Sequence, residues 1–339
     1  DGASRVGNQA SGIVVITSSF NWIGQVQRPD GTKVVAPNIV SGNGLYGILI
    51  VGRDGGGSYG NDIFGNYIGT TSDGMSRAAN SSDGVFVLNA RNTSIGGESS
   101  GHGNVISGNE GQGIRIFGQW SNGNTVQRNL IGLNKLGAGA IPNAANGVIL
   151  DQSSAAAGDV SNTIKDNVIS GNSQAGIMVT STLAPPSGGL FAPLAVISGN
   201  IIGLNAAGVD RVPNSGYGIL LFGASRVEIG GATVNDRNVV SGNSLDGVMI
   251  YSPSPNARAD GNVLLGNYIG TDVNGRGPSN GRSVANQGIG VHLVNALNNQ
   301  IGPDAAQVAS SAASRNVISG NLGSGVLVEF QSGRETVDA

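Results

Sequence analysis

The sequence predicts an all-β solenoid, a three-sided parallel β-helix of about ten coils with three short strands per coil. Three observations predict it. First, Asn104-Val-Ile-Ser-Gly-Asn109 followed by Gly113-Ile-Arg-Ile116 recurs nearly word for word from Asn38, Asn167, Asn238 and Asn316. Second, glycine makes up 58 of 339 residues while hydrophobic residues hold at 39%, so glycine marks tight turns between short Val/Ile strands rather than a disordered chain. Third, a Gly-hydrophobic-any-hydrophobic marker falls at Gly12, Gly47, Gly84, Gly113, Gly147, Gly176, Gly218, Gly247, Gly290 and Gly325. Its steps run from 29 residues (Gly84 to Gly113) to 43 (Gly247 to Gly290), which describes a constant coil carrying variable loops.

The coil from Gly84 gives the plan. Gly84-Val-Phe-Val-Leu88 is one strand, Asn92-Thr-Ser-Ile-Gly-Gly97 a second, Glu98 to Gly103 a looped insertion, and Asn104-Val-Ile-Ser-Gly-Asn109 the third. Insertions alternate. The coils from Gly12, Gly84, Gly218 and Gly290 place theirs after the second strand. The coils between place theirs after the third, from Gly69, Gly132, Gly203 and Gly270, and close on Asn80, Asn143, Asn214 and Asn280. The coil from Gly147 departs, with an early insertion around Ser153 to Ser161, and the coil from Gly176 adds the irregular Leu183 to Pro193. Inward Val and Ile stack on their equivalents one coil away, and no coil buries that face alone. Corner asparagines bond to turns and stack into ladders. Residues 1–330 read as a single domain and 331–339 as a tail or linker.

These words, together with Gly-Asn-x-Ile-Gly-Thr and Ile-Gly-Gly, resemble the right-handed parallel β-helix repeats of the pectate-lyase-like superfamily. They are most similar to the repeats rich in Asn-Val-Ile-Ser-Gly-Asn found in large bacterial surface and secreted proteins. The likeness runs from about Ser11 to Val328. It implies a single right-handed β-helix, extracellular or at the cell surface. It does not imply one activity, because the superfamily holds lyases, hydrolases, C5-epimerases, tailspikes and adhesins.

Composition removes several classes. The chain has no cysteine, which excludes disulfides, thiolate metal sites and cysteine nucleophiles. Charged residues are 12% and the net charge is −3, which offers no basic surface for nucleic acid. No apolar run is long enough to span a membrane.

Alternation along each marker word points its second and fourth residues inward and its third and fifth outward. The outward set is mostly apolar, and a strip on the order of 43 Å long is expected to mark an interface. Its candidate contact residues are Leu49, Phe86, Phe117, Met178, Leu220, Phe222, Met249 and Tyr251. The titratable members are Arg115, Asp151, His292 and Glu329. Arg115 and Asp151 lie on adjacent coils and are expected to meet as a surface ion pair, while His292 lies five coils from Arg115, roughly 24 Å away. His102 reads as a solvated loop residue. No cofactor is expected; a weak calcium reading attaches to Asp272 and Asn274, whose ordinary reading is an Asx-turn. Arg258, Arg276 and Arg282 cluster in sequence and read as solvated loop residues.

The resulting functional reading is a non-catalytic structural or adhesive module, assembling with itself or with another part of a longer surface protein through its ends or apolar face. The alternative is a polysaccharide-active enzyme (lyase, C5-epimerase or hydrolase). Enzymes of the resembled superfamily gather Asp with Arg, Lys or His on an outer strand face, where a cation neutralises a uronate, a base removes the C5 proton and an acid assists the leaving group. Three or more Asp, Arg or Lys side chains converging in one groove would rule out the structural or adhesive reading.

Overall fold

The computed structural model describes residues 7–53, 57–152, 160–181, 193–277, 283–305 and 312–331. Three parallel sheets of ten, nine and nine strands run along them, with one two-stranded antiparallel ribbon, Gln25–Gln27 with Lys33–Val35, in the first insertion. The chain is a three-sided parallel β-helix. The first sheet is built from the marker words, Ile13–Ile16 through Val326–Glu329; the second runs from Trp22–Ile23 to Gln300–Ile301 and the third from Ile39–Val40 to Val317–Ile318. Each strand pairs in register with its equivalent one coil on, so Arg115 lies between Phe86 and Ile149.

The inward phase holds as the alternation predicts. Ile48, Ile50, Val85, Val87, Ile114, Ile116, Val148 and Leu150 are fully buried and belong to one continuous apolar column. Burying such side chains contributes about 1.5–3 kcal/mol each, and the column exists only because neighbouring coils complete it.

Two long asparagine ladders run up the corners of the third sheet. Asn38, Asn66, Asn104, Asn129, Asn167, Asn200, Asn238, Asn267 and Asn316 precede its strands, each Oδ1 accepting from the backbone N–H or Nδ2 of the asparagine one coil earlier. Asn43, Asn80, Asn109, Asn143, Asn172, Asn214, Asn243, Asn286 and Asn321 follow them in the same way. In the coil from Gly247 the ladder residue is Asn286, not Asn280. Asn280 lies outside the described residues, as do Arg282 and most of the two irregular insertions. The rung belongs to the asparagine four residues before its marker glycine, and Asn286 holds that distance from Gly290.

The repeated serine has a separate task on alternate coils. Ser41, Ser107, Ser170 and Ser241 donate to the carbonyls of Thr70, Leu133, Leu204 and Thr271 and accept from the N–H groups of Gly69, Gly132, Gly203 and Gly270. The third-strand insertions that begin there bond to one another across the intervening coil, Lys135 N to Gly74 O, Ala206 N to Gly137 O and Val273 N to Gly208 O. They form a wall along one edge of the third sheet.

The marker glycines are required by close approach, not by φ. A Cβ on Gly113 would lie 2.5 Å from the Gly147 carbonyl oxygen and 2.8 Å from Ile131 Cγ2. Gly113→Ala is therefore expected to destabilise the β-helix by about 1–3 kcal/mol, read as a lower denaturation midpoint; an unchanged midpoint would show that the corner yields without cost.

Candidate functional site

The outward face of the first sheet is less open than its sequence suggests. Of its eight aromatic and aliphatic candidates, Phe86 and Met249 are 9% exposed, Leu49, Met178, Leu220, Phe222 and Tyr251 are half-buried, and only Phe117, at 36%, counts as exposed. Flanking side chains cover the strip. Tyr46 packs on Phe86 at 5.1 Å, Phe86 meets Phe117 at 6.5 Å, Phe222 meets Tyr251 at 5.5 Å, and Arg115 lies over both Phe86 and Phe117. The strip is thus less open than alternation alone predicts. The residue preceding each marker glycine also borders this face, and tyrosines and aspartates stand there.

Those bordering residues build the same charged cluster twice, five coils apart. In the first, Asp83 accepts from the Gln112 N–H at 2.7 Å, and Arg115 reaches Asp151 at 3.4 Å. Burial pushes the Asp83 carboxyl above its usual range, against the pull of that hydrogen bond and of the Arg115 charge. In the second, Asp246 accepts from the Ile289 N–H at 2.7 Å and meets His292 Nδ1 at 3.0 Å, while His292 Nε2 lies 3.4 Å from Glu329. Tyr46 and Tyr217 precede the two clusters at equivalent positions; burial, then Asp246, raises the Tyr217 phenol. Sequence reasoning missed Asp83 and Asp246, although the word Asp-Gly-Val occurs at both.

Both clusters are closed. His292 has its ring nitrogens against two carboxylates, and its Nε2 is buried. Arg115 and Asp151 form the expected half-exposed ion pair, which contributes about 0–1 kcal/mol. A double-mutant cycle on Arg115→Met and Asp151→Asn is expected to return a coupling in that range; several kcal/mol would reveal a buried network instead.

The second sheet carries a more open arrangement. Its outward positions begin Trp22, Asp62, Ser94, Thr125 and Thr163, one per coil. A cavity of about 410 Å³ lies on this face, lined by Phe64, Glu98, His102, Gln127 and Lys165 with the hydroxyls of Ser94, Thr125 and Thr163. His102 comes from the 98–103 insertion and stacks on Phe64 with ring centres 4.4 Å apart. Gly97 permits this packing, since a Cβ there would lie 2.8 Å from His102 Nδ1. The imidazole is half-buried rather than solvated. Asp62 sits beside the cavity, half-buried and bonded to Ser94. Burial pushes its carboxyl above the ordinary range, against the Ser94 hydrogen bond and the charges of Lys33 and His102. Lys33 lies 4.0 Å over the Trp22 ring, and Lys165 pairs with Glu98 at 3.3 Å on the rim.

His102 and Lys165 thus line the cavity, with Asp62, whose carboxyl burial raises, and Lys33 over Trp22 on neighbouring coils of the same face. That is the convergence expected of acid–base catalysis. The sequence hides it because Trp22, Lys33, Asp62, His102 and Lys165 are scattered over several coils.

The Asp272 loop takes its ordinary form. Asp272 Oδ1 accepts from the N–H groups of Asn274 and Arg276, closing an Asx-turn. Among the described residues no group of three His, Cys, Asp or Glu side chains is placed to hold a metal ion, and no helix is long and apolar enough to cross a membrane.

No family model matches the sequence, and no curated protein matches it. Among solved structures, two variants of the periplasmic alginate epimerase AlgG share 16% of residues with this chain. Their TM-scores are 0.36 and 0.35, over 87% and 94% of this chain and 50% and 55% of theirs. The chain thus spans about half their length. The A-module of a mannuronan C-5 epimerase from Azotobacter vinelandii shares 12%, with a TM-score of 0.32 over 97% of this chain and 91% of its own. At these scores the likenesses carry no weight for activity. The β-helix rests on the strand pairing above.

Proposed function

We propose that this β-helix is a polysaccharide-active enzyme and that the cleft around His102 is its catalytic centre. One observation carries the reading: His102 and Lys165 line one open cavity, and Asp62, whose carboxyl burial raises, pairs across the sheet with Ser94 of its lining. In this reading His102 removes the proton from C5 of a uronate residue. A lysine neutralises the carboxylate, which stabilises the charge that develops on it. Asp62 supplies a proton. In β-elimination that proton goes to the departing O4 as the C4–O4 bond breaks and a C4=C5 double bond forms; in epimerisation it returns to C5 from the opposite face. Hydroxyl rows and Trp22 suit a sugar chain lying across the coils. Placement outside the cell belongs to the same proposal.

The test is incubation with alginate and with pectate, following unsaturated uronide by ultraviolet absorbance, inversion at C5 by NMR and new reducing ends chemically. Absence of all three products on both polymers overturns the reading. New reducing ends without unsaturation would identify hydrolysis instead.

The structural or adhesive reading keeps one supporting observation. Val326 and Val328 of the last described strand face inward yet are 43% and 57% exposed. An exposed apolar strand of this kind suits contact with a second copy of this chain. A mass that does not rise with concentration in light scattering would remove self-assembly.

A further inference from the structure

A larger cavity, about 680 Å³, lies on the other side of the 98–103 insertion, over the outward face of the third sheet. Its floor is Tyr67, Val105 and Leu130, one per coil; Val35 and Pro37 close one side and Leu136 of the insertion wall the other. Its charged lining residues are Arg128 and Lys135, and no acidic residue lines it. Two cations thus border an apolar floor, Arg128 with Asp166 on its far side.

The backbone at Arg128 adds an independent observation. The corner between the second and third sheets takes a left-handed conformation, and Gly65, Gly199 and Gly266 occupy it in three coils with φ of 72°, 69° and 69°. Arg128 stands at the same corner with φ 57°, and Asp166 one coil later with φ 59°. A non-glycine residue there costs roughly 1–2 kcal/mol. Strain of this kind persists where the side chain has a task. The guanidinium is held by the Glu98 carbonyl on one side and lies 3.9 Å from Asp166 on the other, while Gln127 also donates to Asp166 at 3.1 Å. Glycine would fit the corner more easily, but it would leave the pocket without its fixed cation.

We propose that this pocket binds an anionic sugar ring. The apolar face of the ring lies on Tyr67 and Leu130, and its carboxylate or sulfate faces Arg128 and Lys135. A planar guanidinium meets either anion with two hydrogen bonds. The pocket and the cleft lie on opposite sides of the 98–103 insertion and share Ser99 in their linings. The pocket's binding does not depend on the cleft being catalytic.

The test is titration calorimetry of the whole chain with methyl glucuronide, glucose 6-sulfate and methyl glucoside. At least one anionic sugar is expected to bind and the neutral one not; which anion binds identifies the group recognised. Arg128→Gly is expected to cut that affinity roughly tenfold or more, the loss of a charged hydrogen bond, while its thermal midpoint stays equal or rises. That stability result separates lost recognition from lost fold. A chain that binds an anionic sugar through Arg128 but forms no product from alginate or pectate keeps this proposal and overturns the catalytic one. Equal binding of the neutral sugar, undiminished binding by Arg128→Gly, or no binding of either anion overturns the proposal.

Discussion

Asp62→Asn is expected to reduce turnover of an acidic polysaccharide by about 10²–10⁴-fold without lowering the stability of the β-helix at neutral pH. The sign follows from burial. Burial favours the neutral carboxyl, so Asp62 keeps its proton to higher pH in the folded chain than in the unfolded one. Between those two pKa values the folded state binds more protons, and stability falls as pH rises. Asparagine is neutral at every pH, so it carries no cost of ionising in a half-buried position. Asparagine retains an acceptor for Ser94. Activity is therefore expected to fall while the denaturation midpoint holds or rises, a trade expected of a functional residue. His102→Ala is expected to cost a similar factor. A drop in midpoint for Asp62→Asn at neutral pH, with activity intact, would make Asp62 a structural residue.

Asn109→Ala carries the largest expected loss of stability. The side chain is fully buried; its Oδ1 accepts from Asn80 Nδ2 at 2.8 Å, and its Nδ2 donates to Asn143 Oδ1 at 2.9 Å. Alanine removes one acceptor of Asn80 Nδ2, which keeps the Val40 carbonyl, and one donor to Asn143 Oδ1, which keeps the Asn109 N–H. Two lost buried hydrogen bonds at about 1–3 kcal/mol each give a total of about 2–6 kcal/mol. In a stack whose coils support only their neighbours, the loss is expected to split the unfolding transition near the Gly84 and Gly113 coils. Denaturant unfolding followed by hydrogen exchange reads both the size and the place. A loss below about 1 kcal/mol would mean that the ladder relaxes around the gap.

The strands were legible because their periodicity is short-range. Val85, Val87, Ile114 and Ile116 alternate with outward residues, and a period of two needs no knowledge of the fold. The alternating insertions were legible because repeated words bracket them. The Asn280 assignment failed because proximity to the loop end was used in place of distance from Gly290. The openness of the first sheet was overestimated because alternation tells which way Phe86 and Met249 point, and says nothing of Tyr46 or Arg115 folding over such residues. His102 was read as solvated because nothing in Ser100-Gly-His-Gly103 announces that Phe64, nearly forty positions earlier, supplies a ring to stack on.

By itself the sequence determined the coil, its three strands, the apolar column and the asparagine rungs, since each is set by residues within one repeat and copied to the next. Only the tertiary structure decided which outward residues become a site. Stacking brings Ser94, His102 and Lys165 to one cleft with Asp62 beside it, and Tyr67, Arg128 and Lys135 to another, from different coils. Side chains distant in the chain interact strongly only when the fold removes the water between them.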